Sequence, residues 1–166
     1  MKVGTLLVLI LLYVPNSYGL EYVARVIPQK DVPISIINYD AEYEAGNKYQ
    51  VGGIKHSIKY KNTGKQRIEA IQFSFISFDV WNEFLDKTNG LSLSPNDSGD
   101  NEKGMWIAHD LAEFSFLTGF AYVSRIRYAD GTIWNADQKQ IRQELHKIKS
   151  DFDVDALISK PDKGKQ

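Results

Sequence analysis

The sequence predicts an all-β domain, a sandwich or a barrel of short strands, with one helix near its C-terminal end. Three observations carry that expectation. Ile54-Lys55-His56-Ser57-Ile58-Lys59-Tyr60-Lys61 alternates strictly, with Ile54, His56, Ile58 and Tyr60 on one side and Lys55, Ser57, Lys59 and Lys61 on the other, the pattern of a half-buried strand. Several further short apolar runs are separated by clusters of turn-forming residues. Only after Trp134 does the apolar spacing change to that of a helix, with Ile141, Leu145 and Ile148 at i, i+4 and i+7.

At the N-terminus, Met1-Lys2 precedes an apolar run from Val3 to Val14, followed by Pro15-Asn16-Ser17-Tyr18-Gly19. A positive start, a short apolar run and small residues at Ser17 and Gly19 predict a secretory signal peptide over residues 1–19, cleaved before Leu20. A membrane span needs roughly 20 apolar residues, and this run is shorter and ends at a proline. Removing 19 of the 166 residues leaves 147, the size of one domain, expected over residues 20–150 with a tail over 151–166. A chain of that size can hold together by packing alone, and it contains no cysteine. No second apolar run follows, so no membrane span is expected after cleavage, and the expected location is periplasmic or secreted. With Lys2 gone, 19 basic residues face 21 acidic ones, which gives no long-range pull toward nucleic acid or anionic lipid.

Taken in order, strands are expected at Tyr22–Ile27 and Ile34–Tyr43, then at Ile54–Lys61, which stops at the turn cluster Asn62-Thr63-Gly64-Lys65. The next run, Ile68 to Trp81, carries Ile71, Phe73 and Phe75 in one phase and Ile76, Phe78 and Val80 in the other. That predicts either a β-bulge between Phe75 and Ile76 or burial on both faces. Together the two runs predict a hairpin. Leu91–Leu93, Met105–His109 and Phe114–Phe116 read as weaker strands, and Ser94–Asn101 as a polar surface loop. In the run from Phe120 to Tyr128, Phe120, Tyr122, Ile126 and Tyr128 alternate with Ala121, Val123, Arg125 and Arg127. A two-residue turn at Asp130-Gly131 would then set Arg127 opposite Trp134. A helix from Asp137 to Lys149 closes the domain, with Asp137 and Gln140 spaced as a capping box.

The segments Ile58-Lys59-Tyr60-Lys61-Asn62-Thr63-Gly64, Ile71-Gln72-Phe73-Ser74-Phe75 and Phe78-Asp79 resemble FxLYD-type immunoglobulin-like modules of exported bacterial proteins. The resemblance spans about a third of the mature chain, which is longer and adds a helix. It implies an immunoglobulin-like antiparallel β-sandwich serving extracytoplasmic interaction, to which the helical spacing after Trp134 adds a short C-terminal helix, and it brings no functional residues with it.

Chemistry-bearing motifs are sparse. There is no Gly-x-Ser-x-Gly elbow, no phosphate-binding glycine loop and no zinc-ligand spacing. His56 shares the apolar side of its strand and reads as a core residue; His109, beside Asp110, is the better general-base candidate, and His146 reads as solvated. Asp97, Asp100 and Glu102 are candidate calcium ligands without EF-hand spacing, and Asn96-Asp97-Ser98 is a glycosylation sequon. Asp79, Glu83 and Asp86 read as solvated or turn-capping rather than as a paired-carboxylate site. Arg125, Arg127 and Trp134 form the candidate binding patch, because arginine and tryptophan concentrate at interaction hot spots. Two bland readings stand beside it: Trp134 covering the sheet or helix, and Arg127 pairing with Asp79 inside the sandwich. The expected function is non-enzymatic binding of a protein or cell-envelope component, without cofactor, metal or nucleic acid. The alternative is a lipocalin-like barrel carrying a small apolar ligand.

Overall fold

The computed structural model describes residues 22–49, 51–109, 116–148 and 150; the expected signal peptide, Phe114 and the tail lie outside them. Eight strands and one helix follow in order: β1 (Val23–Val26), β2 (Ile34–Glu44), β3 (Gly53–Asn62), β4 (Ile68–Asp79), β5 (Phe84–Ser92), β6 (Asn101–His109), β7 (Phe116–Tyr128), β8 (Ile133–Asn135) and α1 (Gln138–Ile148). They form two sheets, one of order β1-β7-β4-β5 with β8 also on β7, and one of order β2-β3-β6. This is the immunoglobulin-like sandwich, with β1–β2, β3–β4, β5–β6 and β6–β7 crossing between the layers, and not a closed barrel. One pairing departs from the antiparallel expectation. β1 lies parallel to β7, with Val23 opposite Thr118 and Val26 opposite Ala121.

The expected hairpin between Ile54–Lys61 and Ile68–Trp81 does not form. β3 pairs with β2 and β6, while β4 pairs with β5 and β7 in the opposite layer. The intervening residues make an arch rather than a turn. Asn62, fully buried, holds it: its side-chain amide donates to the carbonyls of Gln66 and Asn96 (3.0 Å each), and its oxygen accepts from Gly64 N at 2.9 Å. The amides of Thr63 and Gly64 both reach Pro33 O. Alternation states which side of a strand is buried; it does not state whether the next strand lies beside it or across the core.

β4 is buried on both faces, the second of the two expectations. Ile71, Phe73 and Phe75 fill the space between the sheets with Ile54, Ile58, Tyr60 and Val123. Ile76 and Phe78 face outward into a second core with Phe120, Tyr122, Ile141 and Leu145, which α1 covers. The ladder has no irregularity between Phe75 and Ile76. Asp137, which accepts from Lys139 N at 2.8 Å, caps the helix.

At the β5–β6 side, Trp106 lies over Gly90 and Gly104, where any Cβ would overlap its ring. Its indole also packs 5.5–5.6 Å from Phe73 and Phe75. Asn96 is completely buried and bridges Ile68, so the loop expected to be wholly superficial carries its sequon asparagine inward.

Candidate binding face

β7 positions the candidate residues, and its edge is paired along its length. β1 covers Thr118–Ala121, and the Gln29 side chain then donates to Val123 O and accepts from Val123 N, both at 2.8 Å, in place of a further rung. β8 covers Arg125–Arg127. Between those stretches the β4–β7 register slips, with Phe73 opposite Val123 and Gln72 opposite Arg125, so Ser124 is an extra residue. The slip reverses the facing of everything after it. Phe120 and Tyr122 face the helix, whereas Ile126 faces the core between the sheets, and Arg125 and Arg127 point outward and are exposed.

The turn after β7 also differs from expectation. Tyr128 N donates to Thr132 O and Gly131 N donates to Tyr128 O, both at 3.0 Å, which makes a three-residue loop with Gly131 at φ 84°. Asp130 is held below the usual carboxylate range by the Thr132 hydroxyl and amide. The extra loop residue shifts the register by one, so Trp134 lies opposite Ile126 and Ile133 lies opposite Arg127. A one-residue slip moves a side chain to the other face. Trp134 is therefore half-buried, packed against both cores, and apart from the arginine face.

On the outer face of the large sheet, beyond the area that α1 covers, two cross-strand rows result. Leu91, Gln72, Arg125 and Asn135 form one, with Arg125 Nε donating to Asn135 Oδ1 at 3.1 Å; Ala70, Arg127 and Ile133 form the other. Leu91 is 56% and Ile133 53% exposed. Among the ion pairs of the described residues, none involves either arginine. The face thus presents two exposed guanidinium groups, neither with a carboxylate partner among the described residues, flanked by apolar side chains. Leu91 and Ile133 escaped the sequence reading because Phe84–Ser92 is too polar to read as a full strand and because the turn sets the register of Ile133.

The other candidates are dispersed. His56 is buried, stacked 4.2 Å from Phe75, with Nδ1 2.9 Å from the Tyr39 hydroxyl and Nε2 without a partner. Burial lowers its pKa to about 4 and raises that of Tyr39. His109 is exposed at the end of β6, with Asp110 outside the described residues, and His146 is exposed on α1. Asp79 Oδ1 accepts from the amides of Trp81 and Glu83 (2.8 Å each), so it caps the β4–β5 turn and does not meet Arg127. Asp97 pairs with Arg67 at 3.2 Å, and Asp100 accepts from Asp97 N at 3.0 Å. Among the described residues no three acidic or histidine side chains gather as a metal would need. A groove of about 840 Å³ opens along the β1–β2 side, between Tyr22, Ala24 and Ala41, with Lys55 and Glu42 paired at 2.5 Å on its rim.

No family model matches this chain, and no curated protein matches it. Its likeness is to solved structures, in fold alone. A protein of Peptoclostridium difficile 630 described only as hypothetical superposes with a TM-score of 0.50 at 9% identity, over 72% of this chain and 92% of that one. A structural-genomics target gives a TM-score of 0.44 at 14% identity, over 63% and 80% of the two chains.

Proposed function

We propose that this chain is an exported, non-enzymatic binding domain that recognises a protein or envelope component through the outer face of its large sheet. The observation that carries this reading is the pair of exposed arginines, without a carboxylate partner among the described residues, flanked by Leu91 and Ile133. Guanidinium groups beside apolar side chains suit a partner that presents carboxylates or phosphates next to apolar groups. Three further features support it. The space between the sheets is filled by aromatic and branched side chains. The three histidines lie apart in the fold, His56 buried on β3, His109 exposed at the end of β6 and His146 exposed on α1. The mature segment follows an N-terminal pattern suited to export. The likeness to FxLYD-type modules belongs to the same proposal.

The test is crosslinking in the native envelope, comparing the wild type with the Arg125→Ala/Arg127→Ala double variant. Loss of the arginines is expected to weaken capture at least about tenfold, the effect of removing one good hot-spot residue. Recovery of the same partners in the same yield would remove this face from consideration.

A further inference from the structure

A different surface lies at the opposite end of the sandwich. The β2–β3 connection and the β4–β5 turn both sit where β1 begins. Asp79 is opposite Phe116, Val23 opposite Thr118, and Gly53 ends the small sheet opposite Glu44 and His109. Gly119 of β7 touches Tyr39 and Ala41 of β2, which aligns the two layers at this end. These two connections carry three of the four most exposed large apolar side chains among the described residues: Tyr49 at 85%, Trp81 at 79% and Val51 at 66%. Lys48 Nζ lies 4.6 Å above the Tyr49 ring.

We propose that this end docks on a lipid bilayer, with Trp81, Tyr49 and Val51 entering the interfacial layer. The side-chain chemistry favours that occupant, since tryptophan and tyrosine settle at the boundary between headgroups and acyl chains, where one part of the ring is wet and the other is not. A lysine beside them can leave its charge at the headgroups while its stem stays with the rings. Chain geometry points the same way. Residues 3–14 are the one long apolar run, and the chain enters the fold from that run at Tyr22, whose ring lies 5.5 Å from Phe116 at this same end. Arg125 and Arg127 lie toward the other end, about 30 Å away along β4 at roughly 3.3 Å per residue, free to meet a separate partner.

The experiment uses the protein purified after native processing by an exporting host, mixed with phosphatidylcholine vesicles and floated on a density gradient. Co-flotation is expected, with a blue shift of tryptophan emission, and both should persist in high salt because the rings, not net charge, make the contact. Trp81→Ala/Tyr49→Ala is expected to weaken partitioning about 10- to 100-fold, the effect of returning one or two large apolar side chains to water. Both residues are exposed, so the melting temperature should not change. Arg125→Ala/Arg127→Ala should float like the wild type, which separates this inference from the proposed partner face. Protein that stays soluble at all lipid concentrations, a double loop variant that floats normally, or loss of flotation in the arginine variant would each overturn the proposal.

Discussion

His56 shows how a single residue can be placed by its side of a strand while its chemistry is set by what lies across the core. The ring is wedged against Phe75 and bound to Tyr39, and burial favours the neutral form, so its pKa falls to about 4 from 6.5. Above pH 6.5 folded and unfolded chains both keep this imidazole neutral, and it adds no pH dependence. Between pH 6.5 and about 4 the unfolded chain takes up a proton that the folded chain refuses. Stability therefore falls by about 1.4 kcal/mol per pH unit, to a total near 3 kcal/mol. Below about 4 both forms are protonated and this loss levels off. Urea unfolding of the wild type and His56→Gln at pH 7 and pH 4.5 isolates the effect, because the carboxylates titrate alike in both. The variant should lose markedly less stability on acidification; equal losses would mean that His56 is not held neutral.

At the scale of elements, glycine and bulge positions decide how strands meet. Trp106 closes the β5–β6 side only because Gly90 and Gly104 leave its ring room. Replacing Gly104 by alanine sets a methyl group into the indole, and overpacking of this kind costs about 1–3 kcal/mol. Urea denaturation should show that loss, together with altered tryptophan emission; an unchanged midpoint would mean that the ring moves aside freely. Ser124 has a comparable influence. Without that extra residue Arg125 and Arg127 would face the core, where unpaired charge is costly. The outward arginines thus depend on an irregularity in β7 as much as on their own identity.

For the whole molecule, β4 joins the two cores. Phe73 and Phe75 fill one and Ile76 and Phe78 fill the other, so the two cores are coupled through a single strand. Leu145→Ala, which empties a fully buried position beneath α1, is expected to cost about 2–4 kcal/mol. The transition should remain single, with circular dichroism and tryptophan emission coincident. Two separated transitions would show that the helix layer unfolds by itself.

The local pattern, read by itself, determined a good deal. Ile54–Lys61 is a half-buried strand, Ile68 onward is a long strand, and Asp137 caps a helix that packs through Ile141 and Leu145. Each follows from a repeat of two or of 3.6 residues, which a few neighbouring side chains suffice to establish. That β4 is buried on both faces and not bulged at Phe75 was settled by the structure. The partnership of strands was decided only in three dimensions. β3 and β4 lie in opposite layers because Asn62 ties an arch to Pro33 and Asn96, contacts that span up to 34 residues of chain. The same holds for the proposed binding face. Whether Trp134 or Ile133 stands beside Arg127 turns on one loop residue at Gly131, and whether the arginines face out turns on the bulge at Ser124. Periodicity fixes sides relative to one strand; register between strands is set by turns, bulges and distant hydrogen bonds, and a shift of a single residue exchanges the two faces.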